Sequence, residues 1–456
     1  MSKIKNIGIL HYQTGNTDGV SLEIAKWQQV LESMGYAVHI CAGDLGSGDG
    51  FRIPELYHHQ DEIRKINNNA FSALTEFDPG ALINAIERIS NRLEEGVRTF
   101  IKSRQIDLLI INNIWSVGLN LPAALAVERA RKAFSLPAIG HHHDYYWERR
   151  GGMCPTCQPV ADILDNFFPP KDSSIQHVVI NSLTKRELAE RKGIKAKVIP
   201  NVFNFAPPAW SVDPYNSDLR ARIGLKESDL FVLQATRIIP RKGIELAIDF
   251  VKALNAPGRL SKFIQSGLYD GRSFTNKNRA VLVLTGYTKD DVSGKYLNVL
   301  IDKARKDGVT LLHIEDMITP KRGFRKGQKT YSFWDAYAVA DLVSYPSLWE
   351  GWGNQLLEAF QARLPVILFE YPVYVQDIKH KGFDVITLGS EIDDYDQTML
   401  ARIKQDKIER AADAAITVLI DRERRHQMVS HNHQICQKYY SLGALQSMLT
   451  DLLEML

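Results

Sequence analysis

Short apolar runs alternate with stretches of helical periodicity along nearly the whole chain. Residues 7–12 read as a strand, 20–34 as an amphipathic helix stopped at Gly35, and 37–42 as a second strand. Residues 43–80 break the rhythm, with glycines at 43, 46, 48 and 50 and the pair His58-His59. They are expected to be irregular and able to shape an acceptor pocket. A polar helix at 81–105 carries charges of mixed sign, the mark of a solvated face, and leads into a buried strand at 106–111. Strands follow at 137–140, 177–181 and 197–199, with a helix at 183–192. The stretch 203–218, FNFAPPAWSVDPYNSD, is rich in Pro, Asn and Asp and reads as a linker, which places a domain boundary near residue 205.

The alternation then restarts: strand 229–235, a helix from 244, strand 281–286, helix 294–306, strand 309–314 and helix 333–340. The basic run 319–330, TPKRGFRKGQKT, is expected to be a solvated loop. Residues 342–369 compress the pattern into one unit. A strand at 342–345 ends at Pro346, a loop carries Glu350, Gly351 and Gly353, a helix spans 354–363, and a Pro-led strand covers 365–369. That is the βαβ crossover of a parallel sheet. A strand near 384–388 and helices over much of 394–455 complete the chain, so the expected class is α/β with parallel sheets.

At 456 residues two domains are expected. The net charge of +3, from 56 basic and 53 acidic residues, excludes a nucleic-acid binder driven by bulk charge. Four cysteines are too few for a disulfide scaffold and suit a reducing compartment. No apolar stretch is long enough to span a bilayer, and the first apolar run is too short for a signal peptide. The expectation is a soluble cytoplasmic protein, with self-association into a homo-oligomer left open.

The loop at 346–353 joins a strand's carboxyl end to a helix's amino end, a usual place for a phosphate. Glu350 and Glu358 flank that helix start with seven residues between them, and Gly351 and Gly353 leave room for close approach. This segment, with its following Leu-Pro-Val strand, resembles the E-x7-E signature of family 4 retaining glycosyltransferases. The resemblance implies the GT-B fold, two Rossmann-like doubly wound domains with the active site in the cleft between them. The domains would be 1–205 for the acceptor and 206–439 for the nucleotide sugar, with 440–456 a helix returning to the first. Glu350 would hydrogen-bond the donor sugar and Glu358 the ribose, with Gly351, Gly353 and Asn354 beside the donor. Thr236-Arg237 and Lys242-Gly243 resemble the family's strand–GR–x4–K–G element, with Thr236 where Gly is usual, so Arg237 and Lys242 would contact the diphosphate. Pro200-Asn201-Val202 resembles the hinge that ends the first domain. HIEDMIT, from 313, would contribute to the base pocket.

The loop QTGNTDGVS, 13–21, resembles the glycine loop after the family's first strand, which would put Gly15 beside the donor. It lacks the adjacent glycine pair, and a plain βα turn capped by Asp18 or Ser21 describes it equally well. In IGHHHDYYWERRGGMCPTCQP, 139–159, the pair His143-Asp144 resembles the family's His-Asp pair, in which the His approaches the donor sugar. Neighbouring groups, Asp144, Tyr146, Trp147, Arg149 and Arg150, would bind the acceptor, the guanidinium forks suiting an anion. Cys154 and Cys157 with His141–His143 offer zinc ligands of the right type, but no second pair follows at finger spacing.

The resemblance implies a retaining hexosyltransferase moving glucose or mannose from UDP-glucose or GDP-mannose to a small anionic acceptor, a sugar acid or phosphosugar. His143, Arg237, Lys242 and Glu350 would form its catalytic set. No metal or cofactor would be obligatory, a divalent cation being at most stimulatory. Alternatives on the same fold are a nucleotide-sugar epimerase, a phosphorylase or a non-catalytic sensor. A zinc hydrolase centred on His141–Asp144 would need a second ligand cluster that the sequence lacks.

Overall fold

The computed structural model describes residues 4–15, 18–148, 152–288, 291 and 294–456. The chain folds as two units, Met1–Val202 with Leu442–Leu456, and Phe203–Ser441.

The first unit is built on seven strands: β1 (Asn6–Gln13), β2 (Ala37–Asp44), β3 (Phe51–Arg52), β4 (Leu108–Asn112), β5 (Ala138–His142), β6 (Ile175–Val179) and β7 (Ala196–Val198). They lie in the order β3-β2-β1-β4-β5-β6-β7, all paired parallel. β4 and β5 are buried throughout, as strands covered by helices on both faces must be. The order reverses between β1 and β4, so the loops after these two strands meet at the topological switch point. The helices that accompany the sheet along residues 18–192 are α1 (Gly19–Ser33), α2 (Asp61–Phe71), α3 (Pro79–Arg104), α4 (Leu121–Ala133), α5 (Gln158–Phe167) and α6 (Ser182–Lys192). The C-terminal helix Leu442–Leu453 buries Leu445, Leu449 and Leu452, one stripe at helical spacing, in the cluster that holds Trp27 and Leu31 of α1.

Among the described residues α2, α4 and α5 of the first unit and the helix Pro257–Ser266 of the second were not foreseen, the first two for opposite reasons. α2 lies inside the stretch expected to be irregular, where Ile63, Ile66 and Ala70 form its buried stripe but three consecutive asparagines dilute the pattern. α4 is apolar on nearly every side and almost wholly buried, so it shows no amphipathic period.

The second unit has β8 (Leu230–Gln234), β9 (Ala280–Leu284), β10 (Leu311–His313), then three short strands β11 (Ile318–Thr319), β12 (Gly323–Arg325) and β13 (Gln328–Ser332). After them come β14 (Leu342–Tyr345), β15 (Val366–Leu368), β16 (Ile386–Thr387) and the pair β17 (Asp394–Tyr395) and β18 (Ala401–Arg402). The main sheet runs β10-β9-β8-β14-β15-β16, parallel throughout. Its helices are α7 (Leu219–Arg222), α8 (Ile244–Leu254), α9 (Pro257–Ser266), α10 (Lys295–Lys306), α11 (Phe333–Val339), α12 (Asn354–Gln361), α13 (Gln405–Ile420) and α14 (Arg422–Tyr439). Its switch point lies between β8 and β14.

The basic run expected to be a loop is instead a hairpin. β12 and β13 pair antiparallel across Lys326 and Gly327, both at positive φ (50° and 77°), the two-residue turn that matches strand twist. Its cations are partly spoken for: Arg322 pairs with Asp213 and Asp335, and Lys329 with Asp218.

Candidate active site

The loops after β8 and β14 run side by side at the carboxyl edge of the second sheet, joined by the Leu348 N–H donating to the Arg241 carbonyl at 2.9 Å. Gly243 sits at φ 58°, and a Cβ there would fall 2.3 Å from the Pro346 carbonyl oxygen, so only glycine lets the two loops close. Pro240–Lys242 forms a single 3-10 turn that turns both Arg241 and Lys242 toward one carboxylate. Lys242 Nζ pairs with Glu350 Oε1, while Arg241 Nη1 donates to Glu350 Oε2 at 2.8 Å and to the Trp349 carbonyl at 2.9 Å.

Lys242 and Glu350 are buried, at 2% and 8% side-chain exposure. Burial pushes the Glu350 carboxyl up, but the Lys242 and Arg241 cations outweigh it and hold the group at about 2. Burial brings the Lys242 ammonium down to about 8, with Glu350 opposing the fall and Arg241 and Arg237 adding to it. Two cations thus hold one carboxylate, with Arg237 near enough to act on Lys242. A cluster with more cations than carboxylates suits an anionic ligand such as a diphosphate.

Thr236 does not obstruct this site. Its hydroxyl accepts from Gln234 Nε2 at 2.7 Å in the buried interior, below the loop. Gly353 (φ 124°) precedes α12, and a Cβ there would lie 2.3 Å from the Tyr371 hydroxyl. That hydroxyl donates to the Trp352 carbonyl at 2.7 Å and fixes the loop's path. Among the described residues no side chain caps α12, and its first turn carries no acidic residue. Glu358 lies one turn inside the helix, half-buried, and its Oε2 accepts from the Tyr337 hydroxyl at 3.1 Å.

The first unit gathers a second group at its own switch point. The His143 N–H donates to Asn113 Oδ1 at 2.8 Å, the Tyr146 N–H to the Ser116 carbonyl at 2.8 Å, and His11 Nδ1 bonds the Asn112 carbonyl at 2.8 Å. Burial, then the nearby His11 and Lys26 charges, push His143 down to about 3. It is a neutral imidazole at physiological pH, and its buried Nε2 has no hydrogen-bond partner among the described residues. The other two histidines of the triplet serve packing. His141 stacks on Trp27 at 4.2 Å, and His142 Nε2 shares a 3.0 Å bond with His177 Nδ1. Successive strand residues point to opposite faces, so His142 turns away while the His141 and His143 rings pack 4.4 Å apart.

Residues 216–434 match the family model of glycosyl transferases group 1. The chain is 39% identical over 429 residues to the mannosylglucosylglycerate synthase of Petrotoga mobilis, covering 92% of this chain and 95% of that one. It is 34% identical over 449 residues to the enzyme of that name from Thermotoga maritima, covering 97% and 98%. The chain belongs to the group 1 glycosyltransferases. Its fold is GT-B: an Anabaena protein, HepE, solved with UDP and glucose, superimposes over 100% of both chains with a TM-score of 0.56 at 14% identity.

In this glycosyltransferase, Lys242 and Glu350 are brought together, with Arg237 close enough to act on Lys242 electrostatically. Gly351, Gly353, Asn354 and Glu358 follow on the same loop and helix. His143, Asp144, Tyr146 and Trp147 stand after β5 in the other unit, and the Asp18 carboxylate beyond Gly15 acts on His143. Asp18 is the cap of α1, accepting from the Val20 and Ser21 N–H groups at 3.1 and 3.0 Å. A Cβ on Gly15 would fall 2.1 Å from the Leu45 carbonyl oxygen, so close packing of two turns accounts for that glycine. Trp147 stacks on Tyr145 at 4.3 Å, donates to Glu187 at 2.9 Å and lies under Arg191. Arg149 and Arg150 lie outside the described residues.

Sequence reasoning missed three groups. Arg241 shares Glu350 with Lys242; its signal was its place beside Lys242 in IIPRKG. Tyr337 holds Glu358 across 21 positions, with no local signal. Glu148 accepts from the Tyr145 N–H and the Thr184 hydroxyl, both at 3.0 Å, and burial, aided by Asp144, lifts its carboxyl to about 7. Among the described residues no group of three His, Cys, Asp or Glu side chains is arranged to hold a metal. Cys154 and Cys157 are not joined in a disulfide, and Thr156 between them fastens the loop to α2 through the Ala70 and Asn69 carbonyls. No described helix is long and apolar enough to cross a membrane.

Proposed function

We propose that the chain transfers a mannosyl group from GDP-mannose to glucosylglycerate, with retention of configuration. Its likeness to two mannosylglucosylglycerate synthases along nearly their whole length carries this reading. Those names put mannose outermost on a product that ends in a carboxylate. Of the two donors expected from the sequence, GDP-mannose carries that sugar.

Arg237, Arg241 and Lys242 bind the diphosphate and offset the charge that develops on it as the anomeric C–O bond breaks. Glu350 accepts hydrogen bonds from the mannosyl hydroxyls. Both its oxygens are engaged by cations, and its low pKa keeps it ionised, so it is neither a proton donor nor a free nucleophile. Retention then proceeds on one face of the sugar. The acceptor hydroxyl bonds to the anomeric carbon as the phosphate leaves, and a phosphate oxygen takes the hydroxyl's proton. Glu358, oriented by Tyr337, binds the ribose, and neutral His143 hydrogen-bonds the sugar through Nε2. The cationic charge comes from side chains, so no resident metal is required. Cysteines left out of disulfides suit the cytoplasm, where nucleotide sugars are made.

The test is to incubate the purified enzyme with GDP-mannose or UDP-glucose, with and without glucosylglycerate, and to measure nucleotide release and product mass. Release of GDP with a hexosylated glucosylglycerate is the expected result. Turnover of UDP-glucose alone would overturn the donor assignment. A GDP-mannose hydrolysis unaffected by glucosylglycerate would overturn the acceptor.

A further inference from the structure

A cavity of about 460 Å³ opens in the first unit, between the start of α2 and Leu119 of the loop after β4. Its size falls in the range of small-ligand sites. It lies on the carboxyl edge of the sheet: His58 on its wall contacts the Tyr12 ring near the end of β1 at 5.4 Å and the His59 ring at 4.0 Å. The wall is built, not incidental. Asn120 Nδ2 donates to the Glu55 and Leu56 carbonyls at 2.8 and 3.2 Å, clamping the two sides together. Asn69 Oδ1 accepts from the Thr75 and Glu76 N–H groups at 2.9 and 3.0 Å and so places Glu76 at the rim.

Two features say what the cavity takes. Asn67 donates Nδ2 to the Leu119 carbonyl, which leaves Oδ1 buried with no hydrogen-bond partner among the described residues. Such an acceptor calls for a hydroxyl donor. Arg64 and Lys65 bring two cations, paired with Asp61 and Glu76. All four side chains are exposed, Arg64 at 60% and Lys65 at 45%, so these pairs are weak and can exchange for a ligand carboxylate. The adjoining Gly118 packs against Tyr146 and Met153, so the cavity wall continues into the loop after β5.

We propose that this cavity is the acceptor subsite, in which Arg64 and Lys65 bind the acceptor's carboxylate and Asn67 Oδ1 receives a sugar hydroxyl. The assignment rests on the transferase reading above and deepens it. The test compares glucosylglycerate with glucosylglycerol, which keeps the sugar and replaces the carboxylate with an alcohol. Arg64→Met with Lys65→Met should lower kcat/KM for glucosylglycerate about tenfold through KM, leave glucosylglycerol within about threefold, and leave the KM for GDP-mannose unchanged. Asn67→Asp, which adds a negative charge to the same wall, should penalise glucosylglycerate more than glucosylglycerol. Equal losses on both acceptors, or none, would overturn the subsite. An unaltered enzyme that hydrolyses GDP-mannose and mannosylates neither acceptor would instead sink the parent reading, and the carboxylate assignment with it.

Discussion

Nucleotide binding should draw a proton onto Lys242. The buried ammonium of the free enzyme titrates at about 8, so at pH 8.5 roughly a quarter of molecules carry the charge and at pH 7 about nine in ten. A diphosphate about 4 Å away contributes on the order of 4 kcal/mol per unit charge at an effective dielectric of about 20. Even half of that lifts the ammonium by more than about one unit. The bound state is then largely protonated at pH 8.5. Proton uptake on binding GDP should therefore reach about half to three-quarters of a proton at pH 8.5 and about one-tenth at pH 7. The sign follows from the bound pKa lying above the free one: affinity falls as pH rises through 8, by roughly three- to fourfold at pH 8.5. Isothermal calorimetry at both pH values, in buffers of different ionisation enthalpy, measures the uptake directly. Lys242→Met should bind GDP more weakly and show no uptake at either pH. Uptake below about 0.2 proton at pH 8.5 in the unaltered enzyme, or equal uptake in the variant, would show that Lys242 does not meet the diphosphate.

Three further outcomes are expected. Glu350→Gln leaves the buried Lys242 and Arg241 without their counter-charge, so stability should fall by about 3 kcal/mol in urea titrations. Turnover should drop about a hundredfold or more, and because Glu350 holds the Lys242 pKa up, the proton uptake on GDP binding should move to lower pH in this variant. Tyr337→Phe removes the 3.1 Å bond to Glu358 and should weaken GDP about fivefold, from the roughly 1 kcal/mol such a bond contributes, with a smaller effect on the 2′-deoxy and 3′-deoxy nucleotides. Glu148 has a folded pKa raised to about 7, so its stabilising contribution is present below about pH 4.5 and is lost as pH rises through 7. Glu148→Gln should therefore flatten the fall in melting temperature between pH 5 and 8, and equal slopes in the two proteins would refute the assignment.

The central βαβ unit was legible because its signals are local. The strand at 342–345 is bounded by Asp341 and Pro346, and the structure starts and ends it there. The donor-side loops were legible for the same reason, since glycines at 243 and 353 mark where a Cβ would strike the Pro346 carbonyl and the Tyr371 hydroxyl. What escaped was set at a distance or hidden by composition. The carboxyl of Glu148 is lifted by burial against the loop and α6, and its Thr184 partner lies 36 positions away. The hairpin at 323–332 was masked by its charge, although Lys326-Gly327 between alternating residues was a readable turn. The three asparagines that disguised α2 include Asn67, whose unsatisfied oxygen marks the cavity.

The double engagement of Glu350 decides more than local geometry. A carboxylate that attacks an anomeric carbon needs an oxygen lone pair free of strong partners, and a second carboxylate normally stands by as acid and base. Here Lys242 takes one oxygen and Arg241 the other, and the pairing depresses the carboxyl to about 2. Breaking either pair to free an oxygen would leave a cation uncompensated, Lys242 deep in the protein, at a cost of about 3 kcal/mol or more. In the proposed transfer that leaves the residue to orient hydroxyls and to hold two cations for the leaving diphosphate. The proton would then go to the departing phosphate, and the cations that immobilise Glu350 would be the ones that stabilise that phosphate as it leaves.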